Sequence, residues 1–250
     1  MAIAQQHYFI TGVSSGIGKA LAQQLCAAGH KVSGVARRKA QLDELAATYD
    51  SFKGYGCDVT DEAAMNQAVG EAIDHHGAID VVIPNAGIYQ PQPAGHIEPD
   101  AFVHHMNVNY FAVIHCLAAI LPQMQARNQG HIALMASVAG YRGLPRSAAY
   151  GPTKAALINF AESLRFDLSD TNIKLQVINP GFVETEATAV NDFDMPDLIT
   201  AETAASEIIA GLKTDQFEIS FPKSFVRKMK WLKLMPDKLY FTVVKKMTKA

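Results

Sequence analysis

Short apolar runs alternate with longer amphipathic stretches along most of the chain. HYFIT (7–11), KVSGVA (31–36), SFKGYGC (51–57), IDVVIPN (79–85), GHIALMAS (130–137), IKLQVIN (173–179) and FEISF (217–221) read as strands. Between them the apolar spacing predicts helices over 16–28, 39–48, 61–76, 99–127, 148–169 and 201–212. Thr60 and Thr200 are expected N-caps, and Gly29 a C-terminal stop. Beyond 222 the pattern changes: Phe225, Met229 and Leu232 form one helical stripe, Tyr240, Val243/Val244 and Met247 another, and Pro236 opens the second helix.

Several of these strands are apolar almost throughout instead of alternating, so both of their faces should be covered. Strand and helix alternate in order, which predicts an α/β fold: a doubly wound parallel sheet of Rossmann type with about seven strands. No linker composition or internal repeat divides the chain. The expected organisation is one catalytic domain over 1–222 and a helical tail over 223–250.

Composition agrees with a packed globular chain, since 49% of the 250 residues are hydrophobic and 18% charged. Cys26, Cys57 and Cys116 are odd in number and show no CxxC spacing, so neither a disulfide framework nor a zinc site is expected and a reducing, cytoplasmic setting fits. The start, MAIAQQHYFITG, lacks the basic and long apolar regions of a signal peptide. The longest apolar stretch, Tyr110 to Leu121, is too short to span a bilayer and contains His115. The paired histidines at 75/76 and 104/105 have no HExxH pattern, and no metal is expected.

Charge is uneven. The formal net charge is -2, yet from Phe221 onward nine Lys/Arg face the single acid Asp237, leaving residues 1–220 strongly acidic.

Chemistry enters at the end of the first strand, where TGVSSGIG runs from Thr11 to Gly18 directly into a helix. Gly12, Gly16 and Gly18 permit a tight turn and close backbone approach, and the N-terminus of the following helix favours a pyrophosphate. The spacing is Gly-x-x-x-Gly-x-Gly, and alone it is also compatible with a plain strand-to-helix connection. About twenty residues on, where a carboxylate would meet a ribose 2′-hydroxyl, the chain has Ala36, Arg37 and Arg38. Guanidinium pairs with phosphate, so NADP(H) is favoured over NAD(H).

With these motifs in order over residues 7 to about 220, the chain resembles the short-chain dehydrogenase/reductase family. The matching pieces are TGVSSGIG, CDVT with Asp58, NAG at 85–87, NVNY with Asn109, Ser137 in MASVAG, Tyr150 and Lys154 in YGPTK, and NPGFVET at 179–185. The resemblance implies hydride transfer between a nicotinamide and a carbonyl/alcohol pair. Ser137 would hold the carbonyl oxygen, Tyr150 exchange its proton, and Lys154 ease the ionisation of Tyr150 and hold the nicotinamide ribose. Asn109 would hold a helix kink and a water of a proton relay. Ser14, Ser15 and Ile17 belong to the implied phosphate turn, Asp58 and Val59 lie beside the adenine, Asn85, Ala86 and Gly87 back the cofactor, and Pro180, Gly181, Val183 and Thr185 meet the nicotinamide end. A cofactor-sensing regulatory protein of the same fold is the alternative.

The C-terminus departs from the family pattern, which often closes with a glycine-rich tetramer contact; a homodimer is expected here. The basic tail has two readings: it packs its stripes on the domain, the favoured one, or it lies on an anionic membrane surface. The segment 186–199 is expected to close over the substrate, and its Asp192, Asp194 and Asp197 argue against a strongly anionic one. A neutral, fairly apolar ketone or its alcohol is expected. Nucleic acid is not an expected partner.

Overall fold

The computed structural model describes residues 5–92, 95 and 97–248. The start at Met1–Ala4 and the tail cation Lys249 therefore lie outside the described residues. The first half comprises β1 (His7–Thr11), α1 (Gly16–Ala27), β2 (Lys31–Ala36), α2 (Lys39–Thr48), β3 (Phe52–Gly56), α3 (Glu62–His76), β4 (Val81–Ile83) and α4 (Pro99–Met106). A π-helical turn (Asn107–Phe111) leads into α5 (Ala112–Arg127), β5 (Gly130–Met135), α6 (Tyr150–Asp167) and β6 (Ile173–Pro180). Two short strands, β7 (Val183–Glu184) and β8 (Ile199–Thr200), precede α7 (Ala201–Leu212), β9 (Glu218–Phe221), α8 (Lys223–Lys233) and α9 (Asp237–Thr248).

Seven strands form one parallel sheet in the order β3-β2-β1-β4-β5-β6-β9. The all-apolar strands are explained by what lies on each face. Tyr8, Ile10, Val81, Ile83, Ala133 and Met135 pack in one core with α1, α2 and α7. Their alternating neighbours Phe9, Val82, Ile132 and Leu134 pack in a second core with α3, α5 and α6. Strand order reverses between β1 and β4, and at such a switch point the carboxyl ends of the strands open a crevice.

Several local expectations change. The cap of α3 is Asp61, whose Oδ1 accepts from Ala64 N at 3.0 Å, because Thr60 is already engaged by Asp58. Thr200 caps α7 as expected, accepting from Thr203 N at 3.2 Å, and Gly29 follows α1 at φ +84°. The predicted helix 99–127 is interrupted by the π-helical turn around Asn109. The β7–β8 pair, only two residues per strand, carries too little periodicity to be read from sequence.

The tail helices form a third, smaller core. Phe225, Val226, Met229, Leu232, Tyr240 and Val244 are buried against Val138, Leu144 and Phe182. The packing reading of both stripes holds, except that Met247 is exposed. Arg142 fastens the turn between the helices: its Nη1 donates to Met235 O at 2.6 Å, Nη2 pairs with Asp237, and its guanidinium lies 3.9 Å from the Tyr240 ring centre. No helix among the described residues is long and apolar enough to cross a membrane.

Candidate active site

The turn after β1 is built by exclusion of side chains. Gly12 sits at φ +76°, and a Cβ there would meet Ala86 Cα at 2.9 Å; one on Gly18 would lie 2.2 Å from Gly12 O. Asn85 locks the neighbouring strand end in place: its Nδ2 donates to Thr11 O at 2.9 Å, while Thr11 Oγ1 accepts from the N–H groups of Asn85 and Ala86 at 3.0 and 2.9 Å. Ser15 precedes α1 without a side-chain cap, and the first turn has no acid, so the helix N-terminus is left to an anion.

At the end of β2 the two arginines differ. Arg38 Nε donates to Ser14 Oγ at 3.1 Å and its Nη1 to both carboxylate oxygens of Glu186 at 3.1 Å, tying the phosphate turn to the segment after β7. Arg37 lies 3.8 Å from Asp58 and is largely exposed. Each arginine thus has a carboxylate neighbour that the run GVARRK does not reveal. Asp58 Oδ1 accepts from Thr60 N and Oγ1 at 3.0 and 2.8 Å, and these bonds, with Arg37, hold its carboxyl below the usual range.

Across the cleft, α6 begins at Tyr150 and places Lys154 one turn later on the same face. Lys154 is 4% exposed, and its Nζ donates to Met135 O at 2.8 Å and lies 5.6 Å from the Tyr150 ring centre. Burial pushes the ammonium down to about 8. Burial likewise pushes the Tyr150 phenol up to about 12, with the Ser137 hydroxyl lowering it and Tyr89 raising it. Tyr150 is thus favoured as a phenol, the donor form.

Ser137 follows β5 and is buried. Its Oγ accepts from Ala139 N at 3.1 Å and donates to Pro180 O over a long 3.5 Å, so its proton can turn to another oxygen. Asn109, in the π-helical turn, is fully buried: Oδ1 accepts from Ile88 N at 2.8 Å and Nδ2 donates to Ile88 O at 3.0 Å and Thr153 Oγ1 at 3.1 Å. It clamps the chain after Gly87 to α6. A Cβ on Gly87 would approach Asn109 Oδ1 to 3.2 Å and Lys154 Nζ to 3.7 Å.

One cleft of about 1240 Å³ brings together Gly12, Ser14, Ser15, Gly16, Ile17, Arg37, Arg38, Asp58, Val59, Asn85, Ala86, Gly87, Ser137, Tyr150, Lys154, Pro180, Gly181, Val183 and Thr185. Gly18 and Asn109 stand behind its wall, as supports. At its other end Phe193, from the segment expected to close over the substrate, joins Tyr89, Phe182, Phe225, Met229 and Val244, which no motif marks as cleft residues, in an apolar wall. Tyr89 stacks edge-on against Tyr150 at 5.1 Å, and Phe182 meets Phe225 at 5.3 Å. The 186–199 segment does border the cleft, but two of its acids are compensated: Asp192 by Arg146, and Asp197 by Ser224 and Lys228. Of the adjacent histidines, His104 borders the cleft, while His105 serves structure: its Nδ1 lies 2.7 Å from Ala101 O and its Nε2 accepts from Gln90 N at 3.1 Å.

An "Uncharacterized oxidoreductase" of Myxococcus xanthus is 34% identical over 235 residues, covering 92% of this chain and 93% of that protein. A short chain dehydrogenase from Burkholderia cenocepacia, solved in complex with NADP, superimposes with a TM-score of 0.83 at 25% identity, covering 97% of this chain and 98% of the other. A short chain dehydrogenase/reductase from Burkholderia phymatum, solved with NAD, has the same TM-score at 21% identity, covering 92% and 93%, and shows the shared fold. The short chain dehydrogenase family model matches residues 6–195, and with the ordered motifs and the seven-stranded sheet this establishes that the chain belongs to the short-chain dehydrogenase/reductase family, an oxidoreductase family that uses nicotinamide nucleotides.

Proposed function

We propose that the protein is an NADP(H)-dependent oxidoreductase interconverting a neutral, fairly apolar ketone and its alcohol. The observation that carries this reading is the meeting, in one cleft, of a half-buried phenol with a buried hydroxyl and ammonium beside a side-chain-free phosphate turn. When bound, the nicotinamide nucleotide supplies or accepts the hydride. The glycine turn and the uncapped N-terminus of α1 fit its pyrophosphate, Arg37 and Arg38 its 2′-phosphate, and Asp58 its adenine end. Lys154 holds the ribose hydroxyls.

Ketone reduction builds negative charge on oxygen, and charge in a dry cleft must be met by placed donors. Ser137 donates its hydroxyl proton to that oxygen. Tyr150, kept protonated by burial, gives up the proton that completes the alcohol, and the Lys154 ammonium offsets the resulting phenolate. In the oxidative direction the same phenolate withdraws the alcohol proton. The apolar wall opposite Tyr150 supports a neutral organic substrate. Three free, buried cysteines accord with a reducing, cytoplasmic setting.

A panel of neutral ketones and aldehydes, followed by NADPH absorbance, tests the reading. The wild type is expected to oxidise NADPH faster than NADH on at least one apolar member. Arg37→Ala should weaken NADPH binding by about tenfold to a hundredfold while sparing NADH, since only NADPH carries the 2′-phosphate. Nucleotide binding without turnover on any carbonyl would favour a cofactor sensor, and equal losses for both nucleotides would remove Arg37 from cofactor choice.

A further inference from the structure

The outward faces of α8 and α9 carry apolar side chains that the packed stripes do not use. Trp231, Leu234 and Phe241 are 67%, 81% and 65% exposed, and Leu239 is exposed as well. Singly, exposed hydrophobic residues are ordinary; four on two neighbouring helices are a patch in need of a partner. They are interleaved with cations at helical spacing. Arg227, Trp231 and Leu234 follow at i, i+4 and i+7, on the side of α8 opposite the buried stripe. Lys238, Phe241 and Lys245 follow at i, i+3 and i+7 on α9.

Lys228 and Lys230 reach carboxylates, those of Asp197 and Glu218, and Asp237 is held by Arg142. Lys223, Arg227, Lys233, Lys238, Lys245 and Lys246 make no ion pair among the described residues. We propose that α8 and α9 dock the protein on the surface of an anionic phospholipid bilayer. Trp231, Leu234 and Phe241 enter the headgroup boundary, and the surrounding cations meet lipid phosphates and carboxylates.

Charge selects this occupant. The basic tail is attracted to an anionic surface while the acidic remainder of the chain is repelled, which fixes one orientation. A second copy docked two-fold through the same face would oppose two basic surfaces. The cleft adds an independent reason: Phe225, Met229, Leu232, Val244 and Met247 line it, so the docking helices are also its apolar wall. Granted the proposed oxidoreductase activity, a lipid-dissolved carbonyl or alcohol can pass from bilayer to Tyr150 along that wall.

Cosedimentation of the full chain with phosphatidylserine-containing and pure phosphatidylcholine vesicles tests the docking without measuring turnover. Binding is expected to the anionic vesicles alone, with release at high ionic strength. A Trp231→Ser/Phe241→Ser double variant should bind at least about tenfold more weakly. Lys238→Gln/Lys245→Gln should bind roughly 25-fold more weakly, from two lost surface charges. Circular dichroism and thermal melting confirm that the variants fold. The proposal is overturned if the folded wild type ignores anionic vesicles, binds neutral ones equally, or is unaffected by both double variants. Sedimentation velocity identifies the other occupant: a wild-type oligomer that Trp231→Ser/Phe241→Ser dissociates, without vesicle binding, would make this face a contact between copies. A protein that turns over carbonyls yet ignores vesicles would leave the catalytic reading standing and remove the docking.

Discussion

Lys154 is the costliest residue of the site to keep charged. Its ammonium is buried and has Met135 O as its one hydrogen-bond acceptor among the described residues, which explains a pKa lowered from 10.5 to about 8. The sign of the consequence follows from linkage: between those values the unfolded chain holds more protons than the folded one, so raising pH stabilises the fold. Relative to Lys154→Met, the wild type should gain on the order of 2–3 kcal/mol between pH 7 and pH 10 in denaturant titrations. A flat difference would mean that Lys154 is solvated. Tyr150, pushed up to about 12, titrates above that window. The four-residue spacing of Tyr150 and Lys154 was legible because side chains one turn apart share a face whatever else surrounds them. The upward shift at Tyr150 was not, because burial, the Ser137 hydroxyl and Tyr89 are brought to it from separate parts of the chain. The Arg38–Glu186 bond was equally hidden, as its partners are 148 residues apart.

At the scale of elements, strong periodicity was readable and tertiary competition was not. The seven main strands and five of the six predicted domain helices follow from apolar spacing, yet Thr60 lost the cap of α3 to Asp61 because Asp58 claims its hydroxyl. The π-helical turn moves Asn109 inward to reach both Ile88 and Thr153, a contact set that no local propensity encodes. In the tail, the stripes showed which side chains pack but not on what. Arg142 supplies much of the answer by meeting the carbonyls of Leu232 and Lys233 at the end of α8, that of Met235 in the turn, and the Tyr240 ring. Arg142→Ala should cost about 2 kcal/mol, mostly through these carbonyls and the ring, since Asp237 is exposed and contributes little. Hydrogen exchange should show α9 losing protection first. Unchanged protection in α9 would show that the apolar stripe alone holds the tail.

For the whole molecule, sheet order and switch point place the candidate cofactor turn and Ser137 at the carboxyl end of the strands. β1 and β2 bring the phosphate turn and the arginines, β4 the Asn85–Gly87 segment, β5 Ser137, and β6 the approach to Val183 and Thr185. The catalytic end of the cleft was legible because its motifs are short and fixed in spacing. Its apolar end was not, being assembled from Tyr89, Phe182, the 186–199 segment and two helices more than forty residues further along than β6. On the proposed function, the Tyr150 phenol exchanges the substrate proton. Tyr150→Phe removes one oxygen and leaves the phosphate turn, Arg37, Arg38 and Lys154 in place. Steady-state turnover on the best ketone of the panel, measured beside NADPH affinity, tests this most directly. A fall in kcat of about a hundredfold to ten-thousandfold is predicted, with NADPH affinity nearly unchanged. Turnover retained within a few-fold of wild type, with NADPH still bound, would contradict it.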